Sequence, residues 1–139
     1  MANWEWFTKT HRWVYLKTGG RIGAKLAGTN MLLLTTTGRK SGLERTIPLA
    51  CYPRGDDIVI VASNNGQDRH PVWWLNLQKN PDVKVRFGRE DRRMRAREAT
   101  GEERERLWPW LKEEMPRYDV YEKRTSRLIP VVVLENASN

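Results

Sequence analysis

The sequence predicts an antiparallel β-sheet that is curled into a barrel, with helices packed on its rim and ends. Short apolar or alternating segments follow one another along the chain and are separated by turn signals, which is typical of antiparallel strands. Longer segments with helix start and stop signals lie between them. The predicted order is β-β-β-α-β-β-α-α-β, and its tight hairpins favour closure of the sheet into a barrel.

Three strands are predicted in the first half of the chain. MLLLTT (31–36) is a short apolar run bounded by turn signals, which predicts a buried strand. ERTIPLACY (44–52) alternates enough to be its hairpin partner, and Pro48 indicates an edge strand or a bulge. After the predicted turn PRGDD (53–57), the β-branched segment IVIVAS (58–63) is the third strand.

A helix and a second hairpin are predicted next. Pro71 suits the first turn of the helix in HPVWWLNLQKNP. The segments DVKVRFG (82–88) and RRMRAREA (92–99) alternate apolar with charged residues, so we expect a half-buried hairpin whose basic outer face includes Lys84 and Arg86. Such a face is most often simply solvated, and nucleic-acid binding is the alternative that it leaves open.

The last third of the chain is predicted to be helical and to end in a strand. Thr100 and Glu103 have the spacing of a capping box at the start of the helix GEERERLWPWLKEEM, and Pro109 is expected to kink or interrupt that helix. YDVYEKRTSR (118–127) predicts another helical turn or two. The apolar segment IPVVVLE (129–135) is predicted to be a buried closing strand.

Length, charge and cysteine content limit the class of protein. The 139 residues suffice for one domain with a proper core, and a net charge of +8 with a pI near 10.0 indicates an anionic partner. Nucleic acid, an acidic membrane surface and a phosphorylated cofactor all fit this charge. The single Cys51 excludes an intrachain disulfide, and the sequence has neither a transmembrane run nor a signal peptide. We therefore expect a cytoplasmic protein.

The turn between the first two strands is the strongest candidate site in the sequence. It reads Gly38-Arg39-Lys40-Ser41-Gly42, and Arg45 follows on the next strand. Glycine suits a tight turn, but the turn itself does not require the cations. One interpretation is a solvated turn that is basic by chance, and the other is a phosphate site in which backbone amides, a hydroxyl and the cations converge.

Other phosphate, dinucleotide and metal motifs do not match. The basic turn lacks the earlier glycine of a P-loop, and Gly19 to Gly23 lacks both the spacing and the preceding strand of a dinucleotide fingerprint. The two histidines and one cysteine lie far apart in sequence, so no metal site is expected. Trp73 and Trp74 are neighbours on one predicted helix, and at most one of them is expected to face a ligand.

The N-terminal segment, residues 1–19, is predicted to be a separate element that precedes the barrel domain of residues 20–139. Residues 3–17 mix aromatic and other apolar side chains with basic ones, and Gly19-Gly20 is a helix stop. The residues concerned are Trp4, Trp6, Phe7, Trp13, Tyr15 and Leu16 among Lys9, His11, Arg12 and Lys17. As a helix, this composition would suit the headgroup zone of an anionic bilayer, which would place the protein peripherally at the inner face of the membrane. The alternative is that these aromatic side chains pack across the barrel or cover its binding site.

Five separated blocks of the sequence resemble one family. LLLTTTGRKSG, IVIVASNNG, HPVWWLNLQKNPDVKV, ATGEERERLW and YEKRTSRLIPVVVLE occur in the order found in the deazaflavin (coenzyme F420)-dependent nitroreductase family. The resemblance extends from about residue 20 to the C-terminus. It implies a split β-barrel related to flavin-binding proteins, and a ligand made of a flat ring on a polyanionic string. Such a ligand fits a basic turn and a basic protein.

The resemblance also implies which residues bind the coenzyme. The positions that match the family's phosphate turn are Arg39, Lys40, Ser41 and Arg45. The positions that match its ring-lining and helix contacts are Pro48, Val61, Ala62, Ser63, Asn64, Trp73 and Asn76. Asn64 departs from the pattern, because some relatives have Lys or Gly there.

The implied reaction is hydride transfer from reduced F420 to a quinone-like or another electron-poor acceptor, such as a nitro compound or an enone. Tyr118 and Tyr121 match tyrosines on the substrate side of the ring. Tyr121 is the preferred candidate to stabilise or protonate the acceptor oxygen, although both tyrosines could simply wall the pocket. The alternatives are a non-catalytic F420-binding or storage protein, an FMN- or haem-binding barrel, and a nucleic-acid-binding domain.

Overall fold

A computed structural model describes residues 25–26 and 29–137, and its strands form one antiparallel sheet. The strands are β1 (Lys25–Leu26), β2 (Thr29–Thr37), β3 (Glu44–Ala50), β4 (Tyr52–Arg54), β5 (Asp57–Val61), β6 (Asp82–Phe87), β7 (Glu90–Ala99) and β8 (Val131–Asn136). Their order is β1-β2-β6-β7-β8-β5-β4, and β3 pairs with β2. All of these pairings are antiparallel. The predicted antiparallel sheet is therefore confirmed.

The sheet curls because its edge strands β3 and β4 are consecutive in the chain. The predicted strand 44–52 is in fact divided at Cys51, whose backbone N–H donates to the Asn30 carbonyl at 2.9 Å. On one side of this point β3 pairs with β2, and on the other β4 pairs with β5, so part of the predicted turn 53–57 is strand. Pro48 of β3 lies opposite Leu33 of β2. Strand β3 pairs with no other strand in the described sheet, so the prediction that Pro48 lies in an edge strand is confirmed.

Three helices pack at the ends of this sheet. They are α1 (Val72–Lys79), α2 (Gly101–Glu114) and α3 (Arg117–Arg124), and a 3₁₀ turn (Asn64–Gly66) precedes α1. The α2 helix starts where predicted, but the Thr100 side chain does not cap it. Glu103 does not complete the predicted capping box either, because its carboxylate accepts hydrogen bonds from Arg97 Nη1 and Nη2 at 2.6 and 2.9 Å. Pro109 lies within α2 without interrupting it.

Two apolar clusters fill the described structure. The first lies between α1 and the inner face of the sheet and includes Leu32, Leu34, Trp73 and Trp74. The second lies under α2 and α3 and is built on alternate positions of β5 and β8 with Leu107, Trp108, Leu111 and Tyr118. Strands β5 and β8 contribute to both clusters, which explains why they are apolar throughout rather than alternating. Leu107 and Trp108 therefore pack in the core.

The basic outer face of the β6–β7 hairpin differs from the prediction at one position. Arg86 was assigned to the solvated face with Lys84, but it is only 1% exposed. Its Nε donates to Asp91 Oδ1 at 2.7 Å and its Nη2 donates to Asp91 Oδ2 at 3.2 Å, across a register pair of the hairpin. The assignment is wrong because alternation gives the face of a residue, but not whether that face meets water. Burial of the guanidinium is compensated by the bidentate carboxylate.

The predictions for residues 1–19, including the N-terminal helix and its membrane contact, lie outside the described residues. Within residues 29–137 the helices are at most 14 residues long, and none is long and apolar enough to cross a membrane.

Candidate functional site

A cavity of about 310 Å³ opens between β2, β3 and the first turns of α1. It is lined by Thr36, Arg45, Ile47, Val72, Trp73 and Asn76. Arg45 and Ile47 are alternate residues of the edge strand β3, so both point to the same side of it. Trp73 and Asn76 are three residues apart on α1 and share one face of the helix. Trp74, one position on, packs in the first apolar cluster and does not line the cavity, as expected for neighbours on a helix.

The basic turn, residues 38–42, lies at the end of the same hairpin. The Gly38 N–H donates to the Leu43 carbonyl at 2.8 Å, and the Gly42 N–H donates to the Gly38 carbonyl at 2.9 Å. Gly42 has a φ of 73°, in the left-handed region that glycine tolerates best. A Cβ on Gly38 would lie 2.6 Å from Ser41 Oγ, so a glycine is needed for the hydroxyl to fold into the turn. Ser41 Oγ accepts the Leu43 N–H at 3.1 Å and keeps its own hydrogen as a donor.

Helix α1 fixes the conformation of the basic turn. Asn76 Oδ1 accepts the Arg39 backbone N–H at 3.0 Å, and Asn76 Nδ2 donates to Thr36 Oγ1 at 3.2 Å. Lys79 Nζ donates to the Arg39 carbonyl at 3.1 Å. Both backbone polar groups of Arg39 are therefore held by α1. Asn76 is 3% exposed, and its amide connects the turn with the wall of the cavity.

The cations of the turn differ from those of the β6–β7 hairpin in their partners. Within residues 29–137, Arg39, Lys40 and Arg45 form no ion pair with a carboxylate. Glu44, the acidic residue of the same hairpin, is bound instead by Lys84 Nζ at 2.8 Å. The turn therefore carries uncompensated positive charge beside a mostly apolar cavity. This combination suits a ligand with an anionic group next to an apolar body.

Several arginines of the β6–β7 hairpin, in contrast, form ion pairs with nearby carboxylates. Arg95 pairs with Asp82 at 3.0 Å, and Arg97 pairs with Glu103 at 2.6 Å and with Glu135 at 3.1 Å. The Glu103 carboxylate and Glu135 raise the pKa of Arg97 further above its ordinary value. These ion pairs interrupt the contiguous positive charge that nucleic-acid binding requires.

The segment that matches the ring-lining residues forms the start of the β5–α1 loop, residues 62–71. Val61 packs in the second apolar cluster and Ala62 in the first, and the Ala62 N–H donates to the Pro130 carbonyl at 2.9 Å. Asn64 and Asn65 have positive φ values of 47° and 56°. Asn64 Nδ2 donates to the Arg69 carbonyl at 2.9 Å, which ties the two ends of the loop together.

Gly66 brings this loop against α3. A Cβ at this position would lie 2.9 Å from the Tyr121 Cα and 3.1 Å from the Tyr121 carbonyl, so any larger residue would push the two segments apart. Gly66 also has a φ of 76°. The ring-lining segment and Tyr121 are therefore held next to each other by a contact that requires glycine.

Tyr118 and Tyr121 occupy different environments. The Tyr118 hydroxyl lies 2.8 Å from the Tyr52 hydroxyl, and its ring stacks on Trp108 with centroids 6.0 Å apart. Burial, with the neighbouring Tyr52 phenol, raises the pKa of Tyr118. Tyr121 is half-buried, and its hydroxyl has no hydrogen-bond partner among residues 29–137. Tyr121 can therefore offer its hydroxyl to a ligand, whereas Tyr118 is engaged in the core.

The site residues implied by the resemblance fall into two groups. The first group surrounds the cavity and the basic turn and consists of Arg39, Lys40, Ser41, Arg45, Trp73 and Asn76. The second group lies along the β5–α1 loop and α3 and consists of Val61, Ala62, Ser63, Asn64, Tyr118 and Tyr121. Pro48 belongs to neither group by contact: it is exposed, and it alternates with Ile47 on β3. Strand β3 contacts β5, which brings the two groups to the same region of the sheet.

Sequence reasoning did not identify Thr36, Ile47, Val72 and Lys79. Ile47 could have been found by counting two positions along the strand from Arg45. Lys79 could have been found by its position three residues after Asn76 on the same helix face. Its position on the helix face could thus be predicted, but its hydrogen bond to the Arg39 carbonyl could not, because Lys79 and Arg39 are 40 residues apart in sequence.

Comparison with known proteins gives the family. The sequence model of the family described as F420H(2)-dependent quinone reductase matches residues 6–136, including residues 6–19, which the resemblance in sequence did not reach. The chain belongs to this family. The predicted family relationship is thereby confirmed, together with the predicted class of enzyme, an oxidoreductase that uses reduced F420 as hydride donor.

Individual relatives of the protein support this family assignment. An F420H(2)-dependent quinone reductase of Mycobacterium tuberculosis is 41% identical over 130 residues, which cover 91% of this chain and 87% of the relative. The solved structure of an F420-H2-dependent reductase is 42% identical, with a TM-score of 0.70, and the match covers 76% of this chain and 93% of the other. A second solved structure, described as a domain-swapped dimer, is 36% identical with a TM-score of 0.71 and covers 91% and 100%. The fold is the predicted split β-barrel.

The described site fits the chemistry of the family's coenzyme. F420 combines a flat tricycle with a phosphodiester and an oligoglutamate tail. The unpaired cations and the folded-in Ser41 hydroxyl of the basic turn suit the phosphodiester. The apolar walls formed by Ile47, Val72 and Trp73 suit the body that adjoins it.

Proposed function

We propose that this protein reduces quinone-type acceptors, and other electron-poor compounds such as nitro compounds and enones, at the expense of reduced F420. The basic turn would bind the phosphodiester of the coenzyme, and the β5–α1 loop would hold its ring. The observation that supports this most directly is the connection of an uncompensated cationic turn to an apolar cavity through Asn76.

In this arrangement the protein supplies binding, orientation and exclusion of water. Reduced F420 supplies a hydride from the ring carbon that replaces the central nitrogen of a flavin. Arg39, Lys40 and Arg45 neutralise the phosphodiester, and Ser41 donates a hydrogen bond to it. Trp73 and Ile47 exclude water from the cavity, and the β5–α1 loop would fix the position of the ring.

Tyr121 is the proposed source of the hydrogen bond or proton at the acceptor. Negative charge develops on the acceptor oxygen during hydride transfer, and a phenolic O–H beside it stabilises that charge. Tyr121 lies next to the β5–α1 loop, and its hydroxyl has no partner within the described structure. The ring of Tyr118 lies beside that of Tyr121, with centroids 6.3 Å apart, and is itself held by the hydrogen bond between its hydroxyl and that of Tyr52.

The test of the proposed function is a titration of the purified protein with F420 and with FMN, followed by steady-state reduction of a series of quinones. We expect saturable binding of F420, weaker or no binding of FMN, and quinone-dependent oxidation of reduced F420. Tight binding of FMN with none of F420 would assign the barrel to flavin chemistry. Binding of F420 without turnover of any acceptor would favour the storage protein.

We also propose that residues 1–19 mediate peripheral contact with an anionic membrane, where lipid-soluble quinones are available. The support is compositional, because this segment combines Trp4, Trp6, Trp13 and Tyr15 with basic residues. Co-sedimentation with anionic and neutral vesicles should show salt-sensitive binding to the anionic ones only. A chain that starts near Gly19 should lose this binding and keep its fold. Unfolding, or loss of coenzyme affinity, in the truncated chain would assign the segment to the barrel or to a cover over the site.

A further inference from the structure

One arginine that no part of the proposed mechanism uses binds the β5–α1 loop through all three of its guanidinium nitrogens. Arg127 follows α3 and precedes β8. Its Nε donates to the Gln67 carbonyl at 2.8 Å, and its Nη2 donates to the Ser63 carbonyl at 2.8 Å. Its Nη1 lies 3.2 Å from the Ala62 carbonyl and 3.1 Å from His70 Nδ1. All of these acceptors belong to the β5–α1 loop, and no carboxylate of the described structure forms an ion pair with Arg127.

The loop depends on such an external partner. Asn64 and Asn65 are both held in the left-handed region, which is unfavourable for two consecutive residues other than glycine. The backbone bonds within the loop are those of one 3₁₀ turn, from the Gly66 N–H to the Ser63 carbonyl and from the Gln67 N–H to the Asn64 carbonyl. The guanidinium donates to the Ala62 and Gln67 carbonyls on the two sides of this turn, and also to the Ser63 carbonyl, which accepts the Gly66 N–H as well.

The contact with His70 extends the effect of Arg127 to α1. Because Arg127 Nη1 donates to His70 Nδ1, the ring proton of the neutral histidine is placed on Nε2. His70 directly precedes Pro71, the N-cap residue of α1, whose next turn carries Trp73 and Asn76. The guanidinium of Arg127 is therefore hydrogen-bonded both to the ring-lining segment and to His70. His70 leads into α1, the helix that binds the basic turn through Asn76.

We propose that Arg127 is a positioning residue for the coenzyme's ring: it fixes Ala62–Asn64 relative to α1, so that the ring-lining segment and the phosphate turn are held at a constant separation. This inference rests on the proposed function. Arg124 and Thr125 assist at the outer side of the loop, where Arg124 Nη1 donates to the Asn65 carbonyl at 3.0 Å and Thr125 Oγ1 donates to Asp68 Oδ1 at 2.8 Å. A lysine at position 127 would keep the charge, but it could not present this fork of donors.

The deciding experiment compares Arg127→Lys and Arg127→Gln with the wild-type chain, using F420 and a deazaflavin analogue that lacks the phosphate and the tail. We expect both variants to bind both ligands about tenfold more weakly, by similar factors, because the lost contact concerns the ring. The salt dependence of F420 binding should stay that of the wild type. Turnover at saturating coenzyme should also fall, because a displaced ring is no longer aligned with the acceptor.

A measurement without ligand tests whether Arg127 holds the β5–α1 loop in place. Backbone amide hydrogen exchange in the loop, residues 63–69, should be faster in Arg127→Lys, while exchange in β8 stays as in the wild type. Arg89→Lys, a matched change at an exposed arginine in the β6–β7 turn, should alter neither binding nor exchange. If the loop exchanges normally and both ligands bind normally in Arg127→Lys, the positioning role is refuted.

A uniform rise in exchange that includes β8 would also refute it, since Arg127 would then act only on global stability. Weaker binding of F420 with unchanged binding of the tailless analogue would assign Arg127 to the tail and overturn the proposal. If the wild-type chain binds neither ligand, the proposed function fails, and the assignment of Arg127 to the ring fails with it. The exchange measurement needs no ligand, so it shows separately whether Arg127 holds the loop.

Discussion

The side-chain carbonyl of Asn76 accepts the backbone N–H of Arg39 at 3.0 Å. A buried residue in the middle of a helix thereby fixes the turn that carries the cations of the proposed phosphate site. The other half of the same amide donates to Thr36 Oγ1 at 3.2 Å. Asn76 therefore acts on the coenzyme through the turn as well as through its place in the cavity wall.

Replacing Asn76 by leucine, which has a similar volume, should lower both the stability and the coenzyme affinity of the protein. The Thr36 hydroxyl and the Arg39 N–H would lose their partner at a buried position, which costs about 1–3 kcal/mol for each group left unsatisfied. Chemical denaturation measures the first effect, and fluorescence titration with F420 measures the second. Lys79→Gln is the control, because it removes only the exposed bond to the Arg39 carbonyl and should change both quantities less. Equal effects of the two variants would contradict the proposed role of Asn76.

The cations of the basic turn should contribute to affinity and not to stability. Lys40→Ala and Arg39→Ala should each weaken F420 binding by about 1.5–3 kcal/mol, the range for a hydrogen bond to a charged group. Neither side chain forms an ion pair within the described structure, so the melting temperature should hardly change. Added salt should weaken the binding of F420 more than that of a tailless analogue. If the variant with both substitutions binds F420 as tightly as the wild type, the turn is only a solvated end of the hairpin and binds no phosphate.

Much of the sheet could be predicted because its strands carry local signals. The β6–β7 hairpin alternates along both strands, and its turn has a glycine with a φ of 64° at Gly88. The division at Cys51 could not be predicted, since 44–52 reads as one continuous strand and only the pairing with Asn30 reveals the break. Local pattern thus located the strands, while the curl of the sheet depends on which strand pairs with which.

The basic turn could be found in the sequence because its cations have no role in forming a turn. Arg127 gave no comparable signal. It is one of 25 Lys and Arg residues, and its acceptors lie 57 to 65 positions away in the chain. The Arg86–Asp91 pair is a similar case: the residues are close in sequence, yet the alternation of the strand predicted an exposed arginine. Contacts made by long polar side chains are decided by packing, which a sequence pattern does not record.

Removing the two tyrosine hydroxyls separately should give different results. Tyr121→Phe should lower turnover with little change in coenzyme affinity or melting temperature, because this hydroxyl has no partner in the described part of the chain. Tyr118→Phe should lower stability by about 1–3 kcal/mol, because it leaves the Tyr52 hydroxyl unsatisfied in the second apolar cluster. Adding Tyr52→Phe to Tyr118→Phe should restore part of that loss. A wild-type rate of Tyr121→Phe with several quinones would show that Tyr121 only walls the pocket.

The last prediction concerns the dependence of the β5–α1 loop on pH. Burial, and then the neighbouring Arg127 cation, lower the pKa of His70 below its ordinary value of 6.5, while Glu98 acts in the opposite direction. Because the folded pKa is the lower one, the unfolded chain binds more protons as the solution becomes acidic. The contribution of His70 to stability is therefore fully present above 6.5 and is lost as the pH falls through the folded pKa. Protonation also removes the acceptor for Arg127 Nη1 and sets two cations 3.1 Å apart.

His70→Gln isolates this effect, since the glutamine carbonyl can accept a hydrogen bond but does not titrate. We expect the free energy of unfolding of the wild type to fall more steeply than that of His70→Gln between about pH 7 and about pH 5. Amide exchange in residues 63–69, corrected for its intrinsic pH dependence, should accelerate over the same interval in the wild type only. Acid-induced loosening would then weaken binding of the tailless deazaflavin as well, since it acts on the ring-lining segment. Parallel stability curves for the two proteins would show that the Arg127–His70 contact does not depend on the protonation of His70.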